Sequence, residues 1–119
     1  MIKGLFFVLG VVTFFTPALA SDASFKAADA ELNELYKQIE RRLKDDQDSA
    51  KSLAAAQRAW IAFRDAECKF AASGVQGGSA YPTIYSNCLA GLTQSRVGDF
   101  KRYLNCQEGD LSCPLPPRQ

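Results

Sequence analysis

Four side chains in this sequence have the types that acid–base or anion chemistry uses: Arg64, Asp65 and Glu67 in one short run, and Arg96 further on. Their spacing argues against catalysis. On a helix, Asp65 and Glu67 lie about 200° apart around the axis and cannot converge as a paired acid and base. Arg64, Glu67 and Arg96 fall on or beside apolar stripes. Charges at the edge of a core normally pair with each other or with a tyrosine hydroxyl. The expectation is a structural polar network of Arg64, Asp65, Glu67 and Arg96. The sequence contains no histidine, so the commonest general base and the Ser-His-Asp and Cys-His arrangements are absent. No enzyme activity, catalytic residue or cofactor is expected.

The glycine-rich segment Gly77-Gly78-Ser79-Ala80-Tyr81 matches no phosphate-binding motif, because no strand precedes it and no Gly-Lys-Ser/Thr follows. It turns the chain between two helices. As an exposed loop it is also a platform for contacting a partner, with Gly77, Gly78, Ser79 and Tyr81 as the candidate contact residues.

Four cysteines, Cys68, Cys88, Cys106 and Cys113, form an even set in a short chain, the mark of a disulfide framework. A zinc site would favour a CxxC pair or histidines, and there are none, so no metal is expected.

Three stretches carry the 3.6-residue period. The first aligns Phe25, Ala28, Leu32, Leu35, Tyr36, Ile39 and Leu43, and ends in the polar run 44–49. The second aligns Leu53, Ala56, Trp60, Phe63, Glu67 and Phe70, with Gln57, Ile61, Arg64 and Cys68 on a neighbouring stripe. Trp60, Phe63 and Phe70 are expected in the core. Asp48 or Ser49 is the expected N-cap, and Gly74 the left-handed C-cap. The third runs from about Pro82 to Leu104 and aligns Tyr85, Leu89, Leu92, Arg96, Phe100 and Tyr103. Gly109, Pro114, Pro116 and Pro117 make the tail from about residue 105 irregular. The fold class is all-α: a small antiparallel three-helix bundle or hairpin, whose loops imply antiparallel neighbours.

This geometry selects a disulfide pattern. Cys88 and Cys106 stand roughly 27 Å apart along a continuous third helix, beyond the Cα separation of about 7 Å that a bridge allows. Cys68 and Cys88 come level across an antiparallel pair. The expected bridges are Cys68–Cys88 and Cys106–Cys113, the first pre-organising the 77–81 loop.

The start of the chain has one basic residue, Lys3, an uncharged run from Gly4 to Phe15, and Ala18-Leu19-Ala20 before Ser21. That is the pattern of a cleavable signal peptide, 1–20, and the apolar run is shorter than the roughly 20 residues of a membrane span. Cleavage would leave 21–119 as a single helical domain, periplasmic or secreted from a bacterium, with no stable membrane insertion. Residues 21–50 hold eight acids against five bases, and residues 51–119 hold eight bases against five acids. A mature chain of zero net charge offers no basic stripe for nucleic acid.

Leu32-Asn33-Glu34-Leu35-Tyr36, then Ala56-Gln57-Arg58-Ala59-Trp60-Ile61-Ala62-Phe63-Arg64-Asp65-Ala66-Glu67-Cys68, then Gly77-Gly78-Ser79, Cys88 and Leu92-Thr93-Gln94-Ser95-Arg96 together resemble the lysozyme inhibitor LprI family. The resemblance covers residues of about 30 to 113, and the Gln-Arg-x-Trp-x-x-x-Arg-Asp-x-x-Cys segment is its most specific part. It implies an exported helical bacterial domain that binds and inhibits lysozyme in the envelope, a protein partner rather than a substrate. The family's naming member is a lipoprotein with an additional domain, whereas this sequence has no lipobox cysteine. The alternative is a periplasmic interaction or structural module with no enzyme target.

Overall fold

The computed structural model describes Gly10 and residues 17–117. The expected signal peptide lies mostly outside the described residues. Among the described residues there are three α-helices, α1 (Pro17–Arg42), α2 (Gln47–Ala71) and α3 (Tyr81–Leu104), with one 3-10 turn at Ser73–Val75 and no strand.

The α1 helix forms on a stripe of Ala28, Leu32, Ile39 and Leu43, all buried. Arg41 and Arg42 in its last turn complement the negative end of the helix dipole. The chain then reverses within a few residues. The Asp46 carboxylate accepts the Ser49 N–H at 3.0 Å and caps α2, two to three residues ahead of the expected Asp48 or Ser49. Leu43 is held in the core, so the turn must be complete by Asp46.

At its other end α2 does not use Gly74 as a left-handed cap. The Ala72 N–H bonds back to the Cys68 carbonyl at 3.0 Å, Ala72 stays in the right-handed region and is fully buried, and the chain tightens into the 3-10 turn. The left-handed residue comes later, at Gly77 with φ 79°. Pro82 sits in the first turn of α3, where its missing N–H costs no hydrogen bond.

The connections make α2 antiparallel to both other helices, so α1 and α3 run parallel. The largest interface is between α1 and α3, which are not consecutive; α2 packs mainly against α3. The core is Leu32, Ile39 and Leu43 from α1 against Val97, Phe100 and Leu104 from α3. Irregular from Asn105 as its prolines require, the tail still folds back and places Leu115 in this core. Arg42 pins it there, donating to the Leu104 carbonyl at 3.1 Å and to the Pro116 carbonyl at 2.6 Å.

Both expected disulfides are present, Cys68–Cys88 with Cα atoms 5.4 Å apart and Cys106–Cys113 with Cα atoms 5.7 Å apart. The first explains why one expectation fails. Trp60 is half-buried, but Phe63 and Phe70 are 55% and 75% exposed. Turning Cys68 toward Cys88 fixes the rotation of α2, and Phe63 and Phe70 lie roughly 140° and 160° around the axis from Cys68. The face that α2 turns inward carries Arg64 and Cys68, buried, with Leu53, Gln57 and Trp60 half-buried beside them, and Phe63 and Phe70 face outward.

Candidate functional site

The polar network centres on two arginines from different helices. Arg64 is only 8% exposed. Its guanidinium lies 5.3 Å from the ring centre of Phe25 on α1 and 5.1 Å from that of Trp60 on its own helix. Arg96 on α3 lies 5.9 Å from Trp60 and 4.7 Å from Phe100. Phe25, Arg64, Trp60, Arg96 and Phe100 therefore alternate ring and cation across all three helices. A guanidinium suits this position because it is planar and weakly hydrated, and can lie against an aromatic ring while its edge N–H groups still donate.

Those edges are satisfied. Arg64 donates from Nε to Asp65 at 3.0 Å, and its Nη1 lies 3.7 Å from Asp29 on α1. Arg96 donates from Nε to Gln57 on α2 at 3.1 Å and lies 3.5 Å from Asp99, which also holds Arg102 at 2.9 Å. Arg64, Asp65 and Arg96 thus come together in one network. Glu67 does not join it: the same rotation of α2 leaves it exposed, with no ion pair among the described residues. Asp29, Gln57 and Asp99 are members that sequence spacing missed. Gln57 carried a signal, standing seven residues before Arg64 on the same face; Asp29 and Asp99 depend on how the helices meet.

An arginine stays protonated at any ordinary pH and cannot act as a general base, so this arrangement clamps helices and moves no proton. Burial raises the Tyr36 hydroxyl above its usual range, with the nearby Glu40 carboxylate adding to the rise and Arg58 opposing it. That tyrosine stays neutral and packs against the core. Among the described residues, no cluster of histidine, cysteine, aspartate or glutamate has the arrangement of a metal site.

The loop between α2 and α3 is of a different kind. Residues 73–80 are all exposed, yet the backbone is well tied. Gly78 N–H bonds to the Val75 carbonyl at 2.9 Å and Tyr81 N–H to the Gly78 carbonyl at 3.3 Å. Glycines suit two positions here. Gly77 takes a left-handed φ, and a Cβ on Gly78 would stand 3.1 Å from the Val75 carbonyl oxygen. Behind the loop the Cys68–Cys88 bridge joins its two stems. Tyr81 stacks on Tyr85 with ring centres 5.7 Å apart and planes 9° from parallel. Val75 and Ile84 are exposed on this end of the molecule. The structure therefore places Gly77, Gly78 and Ser79 exposed at one braced end, with Tyr81 half-buried beside them and apolar neighbours.

A surface depression of about 760 Å³ lies at the opposite end, between Arg41, Lys44, Lys101 and Pro116. It is an open groove at the seam where the tail returns, and Arg42 in its wall is already engaged by two carbonyls.

Comparison with known proteins identifies relatives of this chain. Residues 18–100 match the family described as lysozyme inhibitor LprI. An uncharacterized protein of Rhizobium meliloti (strain 1021) is 36% identical over 101 residues, which is 76% of this chain and 73% of that protein. No solved structure gives a significant match.

Proposed function

The chain belongs to the lysozyme inhibitor LprI family, and we propose that it is exported and inhibits a lysozyme in the bacterial envelope by presenting its 77–81 loop. The observation that carries this reading, beyond membership, is the braced loop: an exposed segment whose backbone is tied by a disulfide behind it and turns through a left-handed glycine. A loop held in one conformation gives up little freedom on binding, which raises affinity without new contacts. Exposed Val75 and Ile84 supply apolar area beside it. Ser79 and Tyr81 supply hydroxyls.

Lysozymes of the c type carry two carboxylates flanking the scissile bond. A hydroxyl donor on a rigid loop suits that pair, and the Ser79 hydroxyl is the group we assign to it. The cleaved chain would begin in the first turns of α1, which starts at Pro17. No helix among the described residues is long and apolar enough to cross a membrane.

The test is a cell-wall lysis assay with purified residues 21–119 against c-, g- and i-type lysozymes. Inhibition of at least one class is expected, with a Ser79→Ala, Tyr81→Ala double variant at least about tenfold weaker, the equivalent of 1.4 kcal/mol. Lack of inhibition of every class would favour a second reading, an envelope interaction module without an enzyme target. The outward apolar face of α2 is the observation that speaks for it.

A further inference from the structure

From Phe70 to Ser95 the sequence carries no charged residue, in a chain that is 23% charged. The run covers the end of α2, the 73–80 loop and the first half of α3. Lys69 and Arg96 flank it, and Arg96 is already engaged by Gln57 and Asp99. Charged side chains concentrate on protein surfaces. Residues 73–80 are exposed throughout, so the missing charge is a property of the surface itself. What this end offers instead is hydroxyl, amide and ring. Ser73, Gln76 and Ser79 are exposed, and Tyr81 stacks on Tyr85, both half-buried.

Taking the loop as the inhibitory contact, we propose that this neutral end replaces the glycan in the sugar subsites of the lysozyme cleft, with Gln76 and Tyr85 as contact residues beyond Ser79 and Tyr81. A glycosidase cleft has two parts that could receive an inhibitor. The catalytic carboxylates would draw a cation, and residues 70–95 hold none. The subsites beside them hold uncharged sugar rings through hydroxyl, acetamido and ring-face contacts. Hydroxyl, amide and aromatic groups are the chemistry that residues 73–85 present, and tyrosine joins an apolar ring to a polar tip.

Shape favours the enzyme over the glycan as the occupant. Sites that hold small ligands are concave, whereas a loop exposed along its whole length projects. Tyr81 and Tyr85 also turn one ring face each toward the other, their planes 9° from parallel, which leaves less open face for a sugar to lie on. Charge agrees with a neutral contact. Without Lys3 the mature chain has 13 bases against 13 acids, so net charge does not steer it toward a charged enzyme. Salt weakens binding by screening charges and finds little to screen at this surface.

The test is calorimetric titration of residues 21–119 into a lysozyme that they inhibit, with salt and a neutral sugar as the variables. From about 20 to about 500 mM sodium chloride the dissociation constant should change less than about threefold. The trimer of N-acetylglucosamine, at about ten times its own dissociation constant for the enzyme, should raise that of the inhibitor about tenfold by competition. Tyr85→Ser should raise it at least about tenfold with helical circular dichroism kept, and Glu40→Gln on the outer face of α1 should leave it unchanged. Binding that weakens about tenfold or more with salt, ignores the trimer or is indifferent to Tyr85→Ser overturns the neutral contact and leaves inhibition itself standing. A chain that inhibits no lysozyme overturns both. A chain that binds the trimer in the absence of enzyme also overturns it and assigns this end to the glycan.

Discussion

The molecule has two interfaces built by opposite means. Between α1 and α3 the contact is apolar and closed: Leu32, Ile39 and Leu43 meet Val97, Phe100 and Leu104, and Leu115 seals the end. Against that pair, α2 is held by a disulfide at one end and by two stacked arginines near its middle, while its most apolar face looks outward. Burial of hydrocarbon stabilises without regard to direction. A ladder of rings and guanidinium groups is directional, and fixes the rotation and height of a helix. The α1–α3 pair thus supplies stability. What α2 supplies is a positioned surface and a braced loop.

That division can be broken experimentally. Phe100 is fully buried at the centre of the first interface and also lies under Arg96; Phe100→Ala should cost about 3–5 kcal/mol, measured by urea denaturation. Removing the bridge with Cys68→Ser and Cys88→Ser should cost about 3 kcal/mol by loop-closure entropy. Amide exchange should then rise along α2 well before it rises in α1 or α3, and equal acceleration in all three would contradict the division. Arg64→Lys keeps the charge and loses the flat stack between Phe25 and Trp60; a loss of about 1–2 kcal/mol is expected.

Smaller effects sharpen the picture. The Asp46 carboxylate is held below its usual range by the Ser49 hydroxyl and N–H. A carboxylate depressed by folding contributes stability above its unfolded pKa and loses it as pH falls through the folded value. The melting temperature of Asp46→Ala should therefore fall slightly below that of the parent at neutral pH. The gap should close on acidification below about pH 4, the ordinary carboxylate range. The Thr93 hydroxyl is fully buried without a hydrogen-bond partner. Thr93→Val removes that unsatisfied group at nearly constant volume and should be neutral or stabilising by up to about 1 kcal/mol.

Periodicity carried the helices, and helix geometry with cysteine spacing carried both disulfides, because each depends on distances along one chain direction. Rotation about a helix axis is a different quantity. Two adjacent stripes of α2 were both plausible from sequence, and the one richer in Phe63 and Phe70 was the wrong choice for burial. Cys68 held the answer, since a bridge to α3 can form on only one rotation. The same rotation carried Glu67 away from Arg64. Parallel packing of α1 on α3, and hence the place of Asp29 beside Arg64, lies between elements distant in sequence, which no local pattern encodes. Arg64 and Arg96 stood out as charges on apolar stripes; their shared contact with Trp60 required the fold.

The contact surface can be located directly by recording amide chemical shifts of labelled residues 21–119 as an inhibited lysozyme is titrated in. The expected result is a cluster of perturbed amides at residues 73–85, with α1 and the 106–113 loop unchanged. Perturbations confined to the acidic outer face of α1, with residues 77–81 silent, would contradict the assignment of the braced loop as the inhibitory contact.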